Sequence, residues 1–410
     1  MRLTIDYQCP QCGAPAELEE TDRLFFCEFC RVPSYLTGPG GFRYVLPHNA
    51  PEDREIIYFP YRRLKGMLFS CMGEGGGIQT RVIDLSVRAA DREIYPPSLG
   101  FRSQALRLRF LTPETAGRFI RPEVQDDPFQ DVIEQRFTRP LPGRVIHQAL
   151  IGEAESLIYA PFYQTDEGLH DAVLNRPVSV GSTDESATTG KAKHPDWRIG
   201  FLPTLCPQCG WNLEGERDTL AMLCRNCDTV WRAGKRKFSP IPFARLPEPG
   251  DHPFHLPFWR VRAEVSGVIL DSHADLVRLA NLPKVVQPEW EEQSFCFWIP
   301  AFKMTPDAFL RVASGLTLQQ PQDTRRTAVP KGALQPVTLP AREAVECLKV
   351  ILAQFIRPPL TVEKRLFRMT VKPRKYMLVY VPFEEGHHEL IHPRFQLAIN
   401  KNMLRLTEGI

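Results

Sequence analysis

The chain has little net charge, no long apolar run and no loop shaped for phosphate, and each deficit counts against a class of function. No stretch approaches the roughly 18 consecutive apolar residues that cross a bilayer as a helix, so no transmembrane segment is expected. Lys plus Arg number 51 and Asp plus Glu 48 in 410 residues, a formal charge of +3, which is not the footprint of a dedicated nucleic-acid binder. The opening MRLTIDYQCPQC has no cationic segment followed by an apolar one, so no secretory leader is expected and the chain reads as cytoplasmic. Gly190–Lys191 has Glu185 where a phosphate loop requires glycine, and Ala192 where it requires a hydroxyl, so nucleotide binding has no support. The GEGGG at 73–77 also lacks a following Lys-Ser/Thr and reads as a flexible hairpin tip. No Ser-His-Asp order or paired-carboxylate spacing stands out.

Proline is in excess, 38 of 410 residues against about 5% in ordinary usage, which predicts many short elements and frequent strand ends. Length alone predicts two or three domains at roughly 150 residues each. Residues 1–200 carry 23 basic and 27 acidic side chains, net −4, leaving 28 basic and 21 acidic, net +7, for the remainder. Eleven cysteines in a reducing compartment are metal ligands or free thiols before they are disulfides.

The chain is internally repeated. Cys9, Cys12, Cys27 and Cys30 each precede Cys206, Cys209, Cys224 and Cys227 by 197 residues, and CPQCG occurs at 9–13 and again at 206–210. The same offset carries Pro60 of IYFPYRRLKG onto Pro257 of FHLPFWRVRA and Arg63 onto Arg260. Further on, Pro97 pairs with Pro300, and LIYAPFYQTDEG at 157–168 with LVYVPFEEGHHE at 378–389. The Pro-aromatic segments read as strands. Helices are expected over Ala341–Ile356, after Thr305 and Pro306 with Gly315 near the end, and from Ser272. The expected fold class is α+β and β-rich: two copies of a cysteine ribbon followed by a small, mostly antiparallel β module with a few covering helices. The boundaries are 1–45, 46–177, a Ser/Thr/Gly-rich linker at 178–200, 201–240 and 241–410.

Two CxxC knuckles separated by fourteen residues resemble a four-cysteine zinc ribbon. The resemblance covers about 44 residues in two copies. It implies two structural zinc ions, each held by four thiolates with no open coordination position. The knuckle also resembles that of rubredoxin, which keeps iron as an alternative, although rubredoxins separate their knuckles more widely. Two filled zinc sites would remove two charges each and bring the net charge near −1. Cys296 and Cys347 read as core thiols, and Cys71, beside the glycine loop, as an accessible one.

Two other motifs carry chemistry. HELIH at 388–392 matches HExxH, which on a helix makes two imidazoles metal ligands and the glutamate a general base. Here the candidates are His388, Glu389 and His392. Gly386 before and Pro393 after leave little room for that helix, and aligning Gly168 with Gly386 gives the first copy His170 and Asp171 but no second histidine. A polar hairpin rim is the competing reading. Trp231, Arg232, Lys235, Arg236 and Lys237 combine an aromatic with four cations, a pattern suited to single-stranded nucleic acid, or equally to a packed tryptophan and a solvated linker. Phe258, Trp259 and Tyr61 are candidates for partner pockets or for core. The sequence reading is a non-catalytic zinc-binding scaffold or adaptor in a cytoplasmic protein assembly, with unidentified protein partners. Nucleic-acid binding is the first alternative, and an HExxH metallopeptidase the second.

Overall fold

The computed structural model describes residues 3–100, 107–123, 129–166, 168–178, 194–234, 236–248, 253–322, 324 and 328–405; statements below concern these. About 40% of the chain is strand and 16% helix, an α+β fold dominated by β structure. The Pro-aromatic segments form four long strands paired as two antiparallel spines, Ile57–Met72 with Val145–Thr165 and Phe254–Ser266 with Thr370–Glu385. Ile57–Met72 is buried along almost its whole length, as in a strand covered on both faces, although Arg62, Arg63, Lys65 and Ser70 interrupt its apolar and aromatic run. The first spine belongs to a 10-stranded sheet, the second to a 6-stranded one.

The spines are built alike down to single bonds. Pro60 lies opposite Tyr159 and Pro257 opposite Tyr380. Neither proline has an N–H for the ladder, yet both carbonyls accept from the residue just after the next strand, Ala89 N–H at 3.0 Å and Ala301 N–H at 2.9 Å. Leu46 N–H and Leu246 N–H donate to the Tyr159 and Tyr380 carbonyls, each at 3.0 Å. Beyond each spine a small hairpin follows, Gly168–Asp171 with Arg176–Pro177 and Glu389–His392 with Leu397–Asn400. Each turns through a left-handed residue, Asn175 at φ 49° and Gln396 at φ 51°.

This register corrects two of the sequence alignments. Tyr61 pairs with Arg88 and Phe258 with Pro300, so the counterpart of Pro300 is Arg88, and Pro97 lies outside the strands. Tyr159 and Tyr380 match, and the offset of 221 continues into the hairpins, where Asp171 pairs with Arg176 and His392 with Leu397. His392 therefore corresponds to Asp171 and Glu389 to Gly168, three residues away from the Gly168–Gly386 alignment. A three-residue slip is invisible in a turn whose apolar pattern is too short to fix it.

The helix starts follow their capping chemistry. Ser272 accepts from Asp275 N–H and closes a capping box on helix His273–Leu279; Thr305 takes the N-cap position of helix Pro306–Gln319 without a side-chain bond, and Pro306 sits in the first turn. Gly315 does not end that helix, which runs on to Gln319 and a left-handed Gln320 at φ 42°. Gly315 serves packing instead: a Cβ there would sit 2.6 Å from Leu397 Cδ2. The expected helix Ala341–Ile356 is broken into Ala341–Ala344 and Leu348–Phe355. Gly73–Gly77 is a hairpin tip between Ile57–Met72 and Ile78–Arg88.

One apolar core crosses from one half to the other. Met67, Phe69, Cys71, Ala149 and Ile151 of the first spine join the cluster built by the second half. Helices Pro306–Gln319 and Leu348–Phe355 pack on the outer half of the first spine, and Thr80 donates to Asp307. Cys71 is thus 1% exposed rather than accessible, and burial pushes its thiol up to about 12. Tyr61, Phe258 and Trp259 are likewise core side chains, at most 3% exposed.

Candidate metal centres

The eight ribbon cysteines converge as two sets of four, with all sulfurs of a set within 4.8 Å of one another. In the first ribbon Cys9 Sγ lies 3.7 Å from Cys30 Sγ and Cys12 Sγ 3.6 Å from Cys27 Sγ. In the second, Cys206–Cys227 is 3.6 Å and Cys209–Cys224 is 3.4 Å. Four thiolates at about 2.3 Å from one ion in a tetrahedron stand about 3.8 Å apart. The spacing therefore fits a bound ion and is far too long for disulfides. The burial order is the same in both sets, with Cys9, Cys27, Cys206 and Cys224 buried and Cys12 and Cys209 exposed.

Turn chemistry shapes each knuckle. Gly13 and Gly210 both adopt φ 74°, left-handed geometry that glycine takes without strain. Their N–H groups donate to the Cys9 and Cys206 carbonyls at 2.8 and 2.9 Å. Arg31 at φ 58° and Asp228 at φ 50° play the same part after the second knuckles. Donors aimed at sulfur favour thiolate: the backbone amide of Cys30, followed by that of Phe29, holds Cys27 down to about 6. The Asn226 side chain and the Trp211 amide do the same for Cys209.

The second centre has a hydroxyl relay that the first lacks. Trp231 Nε1–H donates to Thr229 Oγ1 at 2.8 Å, and that hydroxyl lies 3.1 Å from Cys227 Sγ. The corresponding positions in the first ribbon are Val32 and Ser34. Sequence reasoning passes over Thr229; its signal is a hydroxyl residue two positions after the last cysteine.

The ribbons are also joined to each other. Strand Gly200–Pro203 runs antiparallel to Pro33–Thr37, completing the sheet of the first ribbon with chain that leads into the second. Tyr35 Oη donates to the Thr219 carbonyl at 2.9 Å, and the Arg217 carbonyl accepts from both Arg23 and Leu24 N–H. Below the first ribbon, buried Arg63 pairs with Glu20 and, by two parallel bonds of 2.9 and 2.7 Å, with Asp84. Its repeat partner Arg260 stands instead over the Trp298 ring.

The other sequence candidates do not assemble into sites. Glu389–His392 is a strand, with Leu390 and His392 buried and Glu389 and Ile391 exposed, so the helical HExxH arrangement does not arise. His388 is exposed. His392 stacks on Phe395 with centroids 4.0 Å apart and meets Phe383 edge-on. Its Nδ1 accepts from Phe395 N–H at 3.3 Å. Asp171, its counterpart, likewise accepts from the N–H three residues on, that of Leu174, at 2.9 Å. Among the described residues the two cysteine sets are the only groups of three or more ligand-type side chains with converging donors. Trp231 is 7% exposed and packed into its ribbon, which removes it as a stacking platform. Arg232, Arg236 and Lys237 are exposed, and Lys235 lies outside the described residues.

Comparison with protein-family models, curated proteins and solved structures gives no match.

Proposed function

We propose that both cysteine sets hold structural zinc and that the chain is a non-catalytic scaffold or adaptor in a cytoplasmic protein assembly. Four thiolates close each tetrahedron, so the metal fixes shape and has no position left for water or substrate. The observation that carries the reading is the surface around the second knuckle of the first ribbon. Phe26, Phe29 and Val32 bracket Cys27 and Cys30 and are 58%, 68% and 40% exposed. Aromatic side chains on a loop pinned by metal have already lost their backbone freedom, which makes them effective anchors for a partner. The test is co-purification from the source cells of wild type and a Phe26→Ser/Phe29→Ser variant, with metal content measured on both. The reading expects discrete protein partners that the variant loses while keeping its metal. Metal-dependent peptide hydrolysis abolished by Glu389→Gln would overturn it.

A further inference from the structure

A second surface, remote in sequence from both ribbons, has the composition of a membrane contact. Residues 364–375, KRLFRMTVKPRK, contain six cations and no acid. Arg374 pairs with Glu264, which Lys372 also faces across the ladder; among the described residues Lys364, Arg365, Arg368 and Lys375 make no ion pair. The segment comprises most of helix Val362–Arg368 and the start of strand Thr370–Glu385. That strand pairs with Phe254–Ser266 out to the last rung, Ser266 opposite Thr370.

Apolar side chains stand among these charges. Phe367 is 88% exposed, the highest value for a large apolar residue among those described, with Ile269 at 77% and Leu360 at 74%. The helix buries Val362 and Leu366 in the shared core. Leu360, Lys364, Phe367 and Arg368 follow at helical spacing on the opposite, outward side. Gly267 packs against this helix end, where a Cβ would sit 3.0 Å from the Arg368 carbonyl, so Ile269 emerges beside it.

Neither protection of a strand edge nor nucleic-acid binding accounts for the whole of this surface. Lys, Arg and Pro on an unpaired strand edge guard against aggregation, which accounts for Lys372, Pro373, Arg374 and Lys375 but not for Phe367 and Leu360. Single-stranded nucleic acid needs stacking faces, whereas beside Phe367 the side chains that protrude furthest here, Ile269 and Leu360, are aliphatic, and Tyr376, 43% exposed, is packed edge-on with Trp259. Cations around protruding apolar side chains match an interfacial membrane contact, where the apolar groups enter the headgroup boundary and the charges meet anionic lipid. No helix among the described residues is long and apolar enough to cross a membrane, so the contact is with one surface.

We propose that this face docks on an anionic lipid bilayer, with Leu360, Phe367 and Ile269 inserting shallowly and Lys364, Arg368, Lys372 and Lys375 lying against the lipid headgroups. The proposal stands apart from the scaffold reading and does not depend on the metal sites.

The test is flotation of the full-length, metal-loaded chain with phosphatidylcholine vesicles, plain or containing about one-third phosphatidylglycerol. The expected result is binding to the anionic vesicles alone, falling steeply with salt. Each surface cation contributes about fivefold, the equivalent of about 1 kcal/mol, so a Lys364→Gln/Arg368→Gln/Lys372→Gln/Lys375→Gln variant should lose about two to three orders of magnitude. Phe367→Ser should lose at least about tenfold. Phe367→Trp should shift its emission to the blue on anionic vesicles and be quenched by brominated acyl chains. All these positions are at the surface, and unchanged metal content verifies the fold. Failure of wild type to float at low salt, or equal flotation of the quadruple variant, overturns the proposal. So does a Phe367→Trp side chain that lipid does not quench, or binding to a single-stranded oligonucleotide that anionic vesicles cannot compete away.

Discussion

His392 offers a quantitative test of how the last hairpin of the chain packs. Burial lowers its pKa from an ordinary 6.5 to about 4, because the ring is enclosed by Phe383 and Phe395 and a proton would add an ill-solvated charge. The folded state therefore binds this proton less tightly than the unfolded chain. Above pH 6.5 both states are neutral and nothing is lost. As pH falls from 6.5 toward 4, only the unfolded state gains the proton and stability drops, reaching a full cost of about 3 kcal/mol, from 2.5 units at 1.36 kcal/mol each. At pH 5 about 2 kcal/mol of that is already gone. In His392→Asn the amide oxygen can still accept from Phe395 N–H, as the carboxylate of Asp171 accepts from Leu174 N–H, but the side chain no longer titrates. The variant loses the aromatic stacking and should be less stable than wild type at pH 7. Its further loss between pH 7 and pH 5 should be smaller than that of wild type by about 2 kcal/mol. Urea unfolding of both metal-loaded proteins at the two pH values measures this, and acid effects on the cysteine sites cancel in the comparison. Equal pH slopes would refute the reasoning. The variant should also keep its full metal content, since His392 is not a ligand in this structure.

Three further outcomes rest on the metal centres and the ion pair beneath them. Wild type should contain about two metal ions per chain, one for each cysteine set, falling to none in a Cys9→Ser/Cys206→Ser double variant, as read by elemental analysis. Thr229→Val removes the hydroxyl from Cys227 and should weaken the second centre roughly 10- to 100-fold in chelator competition, leaving the first unchanged. Arg63→Leu strands Glu20, whose side chain is 7% exposed, and should cost about 3 to 5 kcal/mol in denaturant unfolding.

Legibility in the sequence tracks how local the determinants are. Knuckle spacing, the Ser272 cap, the helix start at Thr305–Pro306 and the glycine hairpin tip rest on neighbouring residues, and they appear where the sequence places them. The break between Ala344 and Leu348 falls inside an unbroken apolar helical stripe, where nothing in the pattern marks it. Gly315 reads as a terminator because only the fold shows that Leu397 lies against it. Cys71 is closed off by helices more than two hundred residues away. HELIH misleads in the same way: the letters match a helical motif, while pairing with Leu397–Asn400 fixes them as a strand. The exposed Phe367 and Leu360 draw no notice in the sequence, because an apolar residue there carries no sign of which way it faces.

The strand Gly200–Pro203 makes the Ser/Thr-rich stretch before it a misleading place to cut. A fragment ending there would leave Pro33–Thr37 with one open edge and Tyr35 without the Thr219 carbonyl, while its complement would begin with a strand that has nothing to pair with. Produced as two polypeptides, the halves should be individually prone to aggregate yet able to recombine, in the manner of a split reporter. In this fold the first copy's ribbon sheet is completed only by chain that leads into the second.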